Sequence, residues 1–350
     1  MALSVRREHF HLSVSLNLPT HGVTAIWGPS GSGKSTLLRA IAGLEREATG
    51  TLQVGDEQWQ GPEVMLPAHQ RSLGCVFQQP SLFPHLNIEK NLVYGERRVP
   101  RKQNSLLPQA IQLLDIAGLL KRMPHQLSIG EQQRVAIARA IAMQPSLLLL
   151  DEPCAALDQD RKQDILPYLH SLHRKLHMPM LYVSHSRDEV AQLADYLVVL
   201  DNGQATASGP VVDLFTDLAL PLAHATDAQA LVEAVVTECD EPYGLVTLSS
   251  SGTHFVVSGE PLPTGSRVRL RVRASDVSIA LTHQDKSSIL NVFQMQVDTL
   301  APTSRSRMMV RLQQDALVLL ASITRKSCDD MQLSPGTTVL AQIKSVALLT

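Results

Sequence analysis

Nine residues, Gly28-Pro29-Ser30-Gly31-Ser32-Gly33-Lys34-Ser35-Thr36, constrain the fold more than any other stretch of the chain. They fit the pattern G-x-x-x-x-G-K-[ST], a glycine-rich turn that opens a helix and cradles phosphates. The flanks agree with that pattern. Val23-Thr24-Ala25-Ile26-Trp27 reads as a short buried strand, and Leu37-Leu38-Arg39-Ala40-Ile41-Ala42 as a helix with one apolar face. The glycines let backbone N–H groups point inward, where the start of the helix adds its dipole, and an anion is held there. Lys34 would reach the β- and γ-phosphates, and the Ser35 hydroxyl would ligate Mg²⁺. An ordinary Gly/Ser turn explains the glycines but not the strand before and the helix after.

The chain has 350 residues, too many for one ordinary domain, so two are expected. Its 31 basic and 33 acidic residues nearly cancel, which leaves no electrostatic footprint for nucleic acid. Cys75, Cys154, Cys239 and Cys328 are scattered, with no C-x-x-C spacing, as suits a reducing compartment. Arg6 and Arg7 near the start are not followed by an apolar core, so no signal peptide is expected. No run approaches the ~18 apolar residues of a membrane span, so work at a membrane would need another chain to cross it.

Residues 1–20 alternate apolar and polar (Leu12, Val14, Leu16, Leu18), which predicts a half-buried strand. Phe10 either stacks on an adenine ring or fills the core, and core packing is favoured. Further strands are expected over 50–77, ending in Leu73-Gly74-Cys75-Val76-Phe77. Gln78-Gln79-Pro80-Ser81-Leu82-Phe83-Pro84-His85-Leu86 then reads as a loop with an apolar tip. Gln78 either faces a ligand or is a plain surface glutamine.

Residues 88–145 read as mostly helical: Ile88 to Tyr94, Leu107 to Leu120, and Glu131 to Met143. Before the last of these, Ser128 and Glu131 make a capping box. A helix start offers free amides to an anion as well, and the local pattern does not separate capping from phosphate binding.

Leu147-Leu148-Leu149-Leu150-Asp151-Glu152-Pro153 is an apolar strand ending in two carboxylates. A continuous apolar run belongs in a parallel sheet covered on both faces. Ligands of such sheets sit at the strands' carboxyl ends, which puts both acids beside the phosphate loop. Asp151 would hold Mg²⁺ through water, and Glu152 would polarise the attacking water. A pair of solvated acids is the alternative. Met180-Leu181-Tyr182-Val183 is a second such strand, and His185 just after it fits a γ-phosphate sensor, although a lone histidine is more often structural. Asn202-Gly203 marks a hairpin.

After residue 230 helical patterns give way to short β-rich runs at 245–248, 255–257, 268–272, 308–312 and 339–343. This spacing predicts a small barrel or sandwich, with 218–230 as the connection.

Together these motifs resemble the ATPase subunits of ABC transporters over residues 1 to about 230. Gly28–Thr36 matches the phosphate loop, Gln78 the Q-loop, Leu127–Gln133 the signature motif, Leu150–Pro153 the second phosphate-site motif, Ala156-Leu157-Asp158 the D-loop, and His185 the switch histidine. The resemblance implies ATP and Mg²⁺ as ligands, with Ser35, Gln78 and Asp151 around the metal and Glu152, His185 and Gln78 at the chemistry. It also implies a head-to-tail homodimer in which Ser128 and Gly130 of the signature motif complete the partner's ATP site, and it counts Asp158 of the D-loop among the ATP-binding residues. Two positions depart from the pattern. Ile129 replaces the signature's first glycine, and Ala155 the usual D-loop serine.

The stretches Arg273–Ala280, Ser287–Val292, Ile323–Ser327 and Ile343–Val346 look like the molybdate-importer ATPases, whose chains end in a molybdate-binding-protein-like barrel of the OB class. That resemblance implies a tetrahedral oxyanion held by Ser287, Ser288, Lys326, Ser327, Lys344 and Ser345, or a barrel that only dimerises. The expected architecture is an α/β P-loop ABC ATPase domain over 1–229, with a helical subdomain near 85–145. A connecting β segment over 230–285 and an all-β OB-like barrel over 286–350 would come next. The expected partners are two integral-membrane permease subunits and, indirectly, an extracytoplasmic solute-binding protein, on the cytoplasmic face of the inner membrane. Importers of sulfate, iron, sugar or polyamine carry similar barrels, and no short motif fixes the solute. A non-transport ABC ATPase is disfavoured by the single ATPase domain and near-neutral charge. An oxyanion-binding regulator with vestigial hydrolysis is disfavoured by intact Lys34, Asp151, Glu152 and His185.

Overall fold

The computed structural model describes residues 1–97, 105–155, 159–176, 178–283 and 287–349. It divides into two compact units, Met1–Gly209 and Pro210–Thr350. The division falls some twenty residues before the expected one, because the segment after Gly209 packs with the β-rich C-terminal unit.

The first unit opens with β1 (Ala2–Arg7) and β2 (Phe10–Ser15). These form an antiparallel hairpin pairing Arg7 with Phe10, where one strand was expected. Then come β3 (Val23–Trp27), α1 (Lys34–Ile41), β4 (Thr49–Val54), β5 (Glu57–Gln60) and β6 (Leu73–Val76). The helical stretch holds α2 (Ile88–Glu96), α3 (Leu107–Leu113) and α4 (Ile129–Ala142). The helix expected as far as Leu120 ends at Leu113, because Asp115 turns to φ 47° and a short 3-10 turn, Ala117–Leu119, comes after it. The unit closes with β7 (Leu147–Asp151), α5 (Gln159–Leu176), β8 (Met180–Ser184), α6 (Arg187–Leu193), β9 (Tyr196–Asp201) and β10 (Gln204–Pro210). Asn202 and Gly203 both have positive φ, 46° and 78°, as the expected Asn-Gly hairpin turn requires.

One ten-stranded sheet runs β5-β4-β1-β2-β10-β9-β3-β8-β7-β6. The block β9-β3-β8-β7-β6 is parallel, and its register sets the site. Trp27 pairs with Ser184, Val183 with Asp151, and Leu150 with Val76. The chain positions just beyond β3, β8, β7 and β6 therefore lie side by side at one sheet edge. Both β7 and β8 are buried along their whole length, as the apolar run predicts. Leu148, Leu150, Met180 and Tyr182 share a core with α2–α5, while Ile26, Leu149, Leu181 and Val183 pack with α1 and the antiparallel strands.

The second unit starts with α7 (Val211–Phe215) and continues through β11 (Gln229–Asp240), β12 (Leu245–Ser250), β13 (Thr253–Ser258), β14 (Arg267–Arg273) and β15 (Val277–Ala280). After these come β16 (Asn291–Pro302), β17 (Arg307–Gln314), β18 (Leu317–Thr324), α8 (Arg325–Asp330), β19 (Thr338–Ile343) and β20 (Ala347–Leu349). Two antiparallel five-stranded sheets result, β13-β12-β11-β14-β20 and β15-β19-β16-β17-β18. They share one apolar core, in which Phe255 meets Phe293 edge-on at 4.8 Å between ring centres. Buried Asn291 ties the sheets with two 2.8 Å bonds, accepting from Val256 N and donating to Val256 O. Residues 230–285 are thus one wall of this unit, not a connection to it.

Candidate functional site

The loop after β3 is shaped by close approach. A Cβ on Gly28 would lie 2.0 Å from the Leu200 carbonyl oxygen, so the loop can pass the end of β9 only as glycine. Gly31 has φ 81° and open space around it, and Gly33 at φ 101° is the N-cap of α1. Pro29, Ser30 and Gly31 are exposed, while Ser32 is buried. Ser32 Oγ has no partner there, a polar atom left over inside the loop. Lys34, Ser35 and Thr36 form the first turn of α1. The Lys34 ammonium donates to Gly28 O at 2.9 Å and Pro29 O at 2.8 Å, which folds the charge into the loop. Burial pushes the Lys34 pKa down, and the nearby Glu152 and Asp151 carboxylates pull it back up.

Ser35 Oγ donates to Asp151 Oδ1 at 3.0 Å. Burial raises the Asp151 pKa, the Ser35 bond offsets part of this, Glu152 adds to it, and Lys34 and Arg39 oppose it. A hydroxyl and a carboxylate this close are hard oxygen donors that fit Mg²⁺. Glu152 leaves the strand at φ 45°, an uncommon value for a residue with a side chain. Its N–H donates to Val183 O at 3.1 Å, and its carbonyl accepts from Ala155 N at 3.1 Å. This kink turns the chain off β7, and Glu152 Oε1 stands 3.2 Å from His185 Nδ1. The His185 ring is more than half exposed, while its backbone carbonyl accepts from the Trp27 indole N–H at 3.1 Å.

Gln78 is exposed two residues beyond β6, the register position level with Glu152 beyond β7. It therefore stands at the same sheet edge. Ser128 and Gly130 stand at the start of α4, on a different element. Glu131 N donates to Ser128 Oγ at 3.3 Å, and Ser128 N donates to Glu131 Oε2 at 2.7 Å. The expected capping box is thus formed, and the Ser128 backbone bond leads the effects that hold the Glu131 carboxyl below its ordinary pKa. Ile129 is 46% exposed. Ala156, Leu157 and Asp158 lie outside the described residues. Phe10 is half-buried among the residues packed on the α1 core, with its ring tip 2.6 Å from where a Gly33 Cβ would be. The tip of the Gln78–Leu86 loop is better packed than its sequence suggests. Leu82 joins the helical core, and the Phe83 ring lies 4.6 Å from Tyr94.

The six oxyanion candidates separate. Ser287 and Ser288 precede β16 and Lys344 and Ser345 come after β19, and these strand ends adjoin because Asn291 pairs with Ile343. Lys326 and Ser327 lie in α8 after β18, whose end pairs with the start of β17 beside the far end of β16. Several of these groups serve local turns: Ser287 Oγ accepts from Ile289 N at 3.1 Å, and Ser327 N donates to Thr324 Oγ1 at 3.0 Å. All six are exposed except Ser327, which is half-buried.

Sequence reasoning missed Trp27, Tyr182, Ser184 and Glu189, all tied to the His185 turn. Tyr182 OH and Ser184 Oγ donate to Glu189 Oε2 at 2.8 and 2.6 Å. The only local signal is Ser186-x-x-Glu189, which reads as a plain capping box.

Comparison with known proteins extends this geometry. A family model described as ABC transporter matches residues 12–155, and one described as TOBE domain matches 287–349. The molybdenum import ATP-binding protein ModC 1 of Azotobacter vinelandii is 49% identical over 97% of this chain and 95% of its own. ModC of Aromatoleum aromaticum is 50% identical over 97% and 91%. Among solved structures, cbiO1 from Clostridium perfringens, part of the ABC transporter complex cbiONQ, superposes with a TM-score of 0.53 at 26% identity, covering 61% of this chain and 90% of its own. The dimeric post-hydrolysis state of the ATP-binding cassette MJ0796, bound to ADP and Pi, gives 0.51 at 26% identity over 60% and 96%. The phosphate loop, the paired acids at the strand end and near-half identity along almost the full length agree: the chain belongs to the ABC transporter family, among the molybdenum import ATP-binding proteins.

Proposed function

We propose that this chain is the ATP-hydrolysing subunit of a molybdate importer, working as a homodimer on two integral-membrane permease subunits. An extracytoplasmic solute-binding protein would deliver the anion. Among the described residues no helix is long and apolar enough to cross a membrane. The assigned position is peripheral, on the cytoplasmic face of the inner membrane. The observation that carries the chemistry is the side-by-side ending of β3, β8, β7 and β6, which sets the Ser35–Asp151 and Glu152–His185 pairs beside Lys34.

In this assignment the loop amides and Lys34 bind the β- and γ-phosphates. Ser35 and Asp151, with Gln78 at the same edge, would hold Mg²⁺, which supplies neutralisation of phosphate charge. Glu152 orients a water in line with the γ-phosphorus and takes its proton as the new P–O bond forms. The bond to the β–γ bridging oxygen breaks, and ADP leaves with that electron pair. His185, hydrogen-bonded to Glu152, fixes the carboxylate and faces the γ-phosphate. Ser128, Gly130 and Asp158 are assigned to the partner's ATP. Closure on two ATP molecules would shift the permease outward, since ATP binds the closed dimer better. Exposed Ser287, Ser288, Lys344 and Ser345 at one barrel end, with Lys326 and Ser327 elsewhere, are assigned to molybdate or to barrel pairing.

Glu152→Gln tests the assignment. Loss of the base lowers turnover by about 10²–10⁴-fold while ATP still binds. Lys34→Ala instead weakens ATP binding itself. Normal turnover in Glu152→Gln would sink the hydrolytic assignment. Failure of the full chain, reconstituted with its permease, to support molybdate uptake would sink the solute.

A further inference from the structure

Beneath the His185 turn lies a buried polar network that the mechanism above does not use. Glu189, in α6, is 4% exposed, and its Oε2 accepts from both Tyr182 OH and Ser184 Oγ. A buried carboxylate is costly unless its oxygens are bonded, so these two hydroxyls are held firmly in place. Ser184 then works in two directions. Its proton goes to Glu189 while its oxygen accepts from Ser186 N at 3.0 Å. Glu189 N in turn donates to Ser186 Oγ at 3.4 Å. In a full capping box the glutamate would take the Ser186 N–H. Here Ser184 takes it, and the glutamate side chain is turned inward instead. His185 is therefore bracketed on both sides by residues anchored to Glu189.

The network also reaches the other catalytic turn. Tyr182 has a single hydroxyl proton, given to Glu189, and its oxygen faces Cys154 Sγ at 3.7 Å. Burial raises the Tyr182 pKa well above its ordinary value, so the phenol stays a donor. Cys154 is two residues beyond Glu152. The chain of contacts Glu152–His185, Ser184–Glu189, Tyr182–Cys154 thus closes a ring through both turns.

We propose that Glu189 is a positioning residue that, through Ser184 and Tyr182, holds His185 in hydrogen-bonding reach of Glu152. This rests on the hydrolytic assignment above. Ser184→Ala cuts the link to the turn, and Glu189→Leu, of similar shape, removes the shared acceptor. Each should lower kcat about tenfold, the worth of one charge-assisted hydrogen bond, with KM for ATP within about twofold of wild type. Ser184→Thr keeps the hydroxyl and should restore the rate. In a His185→Ala background, measured by single-turnover phosphate release, Ser184→Ala and Glu189→Leu should cost nothing more. A merely structural role would lower the rate equally in both backgrounds, and that result overturns the proposal. So does an unchanged kcat in Ser184→Ala, or a raised KM at constant kcat. If Glu189→Leu fails to fold, the Ser184→Ala and Ser184→Thr pair decides. A wild-type chain that does not hydrolyse ATP would refute the hydrolytic assignment instead.

Discussion

Gly28→Ala isolates the steric demand of the phosphate loop. The new Cβ would stand 2.0 Å from Leu200 O, 2.9 Å from Ser32 Oγ and 3.1 Å from Leu200 C. The first of these is backbone in a fully buried residue of β9, a strand hydrogen-bonded on both sides, to β3 and β10. The β9–β10 turn is also tied to the loop, since Gly203 N donates to Ser32 O at 2.9 Å. Neither wall can yield alone, so overpacking should cost about 1–3 kcal/mol. Gly31→Ala has open space and meets a different penalty, about 1–2 kcal/mol for placing a side chain at positive φ. Asparagine separates the two causes, because it tolerates the left-handed region. Gly31→Asn should recover most of the loss, while Gly28→Asn should be worse than Gly28→Ala. The chain has two tryptophans, Trp27 and Trp59, both in the first unit, so denaturant unfolding followed by their fluorescence reports that unit alone. A wild-type midpoint for Gly28→Ala, or rescue by asparagine at Gly28, would refute the steric account.

Ile129→Gly should leave stability within about 1 kcal/mol, because the side chain is exposed at the first turn of α4 and the cost is mainly helix propensity. Its effect should appear in the dimer, as a higher steady-state ATPase rate once bulk is removed from the interface, and an unchanged rate would show that Ile129 stands clear of it. Tyr94, 41% exposed beside Phe83, offers a test of permease coupling. Tyr94→Ser should reduce transport in the reconstituted importer while ATPase activity of the isolated chain stays within about twofold, as expected for a surface change; equal loss of both would remove this face from the coupling surface.

Much of the fold is legible where side-chain period and strand geometry coincide. The all-buried β7 and β8 show as unbroken apolar runs, and α4 shows through its cap. The long strands of the second unit hide for definite reasons. The first four residues of β11 are all buried, and its pairing with β12 then shifts between Val236 and Glu238. A similar shift interrupts β16 between Val297 and Thr299. Each bulge moves the chain by one residue and breaks the two-residue alternation that identifies a strand. The six-residue α8 is too short to display a helical period. The early unit boundary was hidden because α7 and the turn after it, through Leu222 and Ala223, carry the apolar residues of a small helix in either unit.

The site divides along a similar line. The residues proposed to meet the ligand, Lys34, Ser35, Asp151, Glu152 and His185, stand out because no capping or core-packing pattern calls for those side chains at those places. Ser128 is the intermediate case: its cap is real, and capping alone accounts for it. Glu189 is the hidden case. Its spacing from Ser186 reads as a capping box, yet the box is only half made and its carboxylate serves Tyr182, seven residues back on β8, across a buried contact that no spacing rule describes. The pair proposed to act on the γ-phosphate, Glu152–His185, is built from two turns, one kinked to positive φ and one more than half exposed at its side chain. Their separation is fixed by the parallel register of β7 with β8, reinforced by Glu152 N on Val183 O and by the buried hydroxyls on Glu189. A carboxylate must be within about 3 Å of its partner to act with it. The sheet brings the two turns side by side, and the buried network ties the residues on both sides of His185 to Glu189.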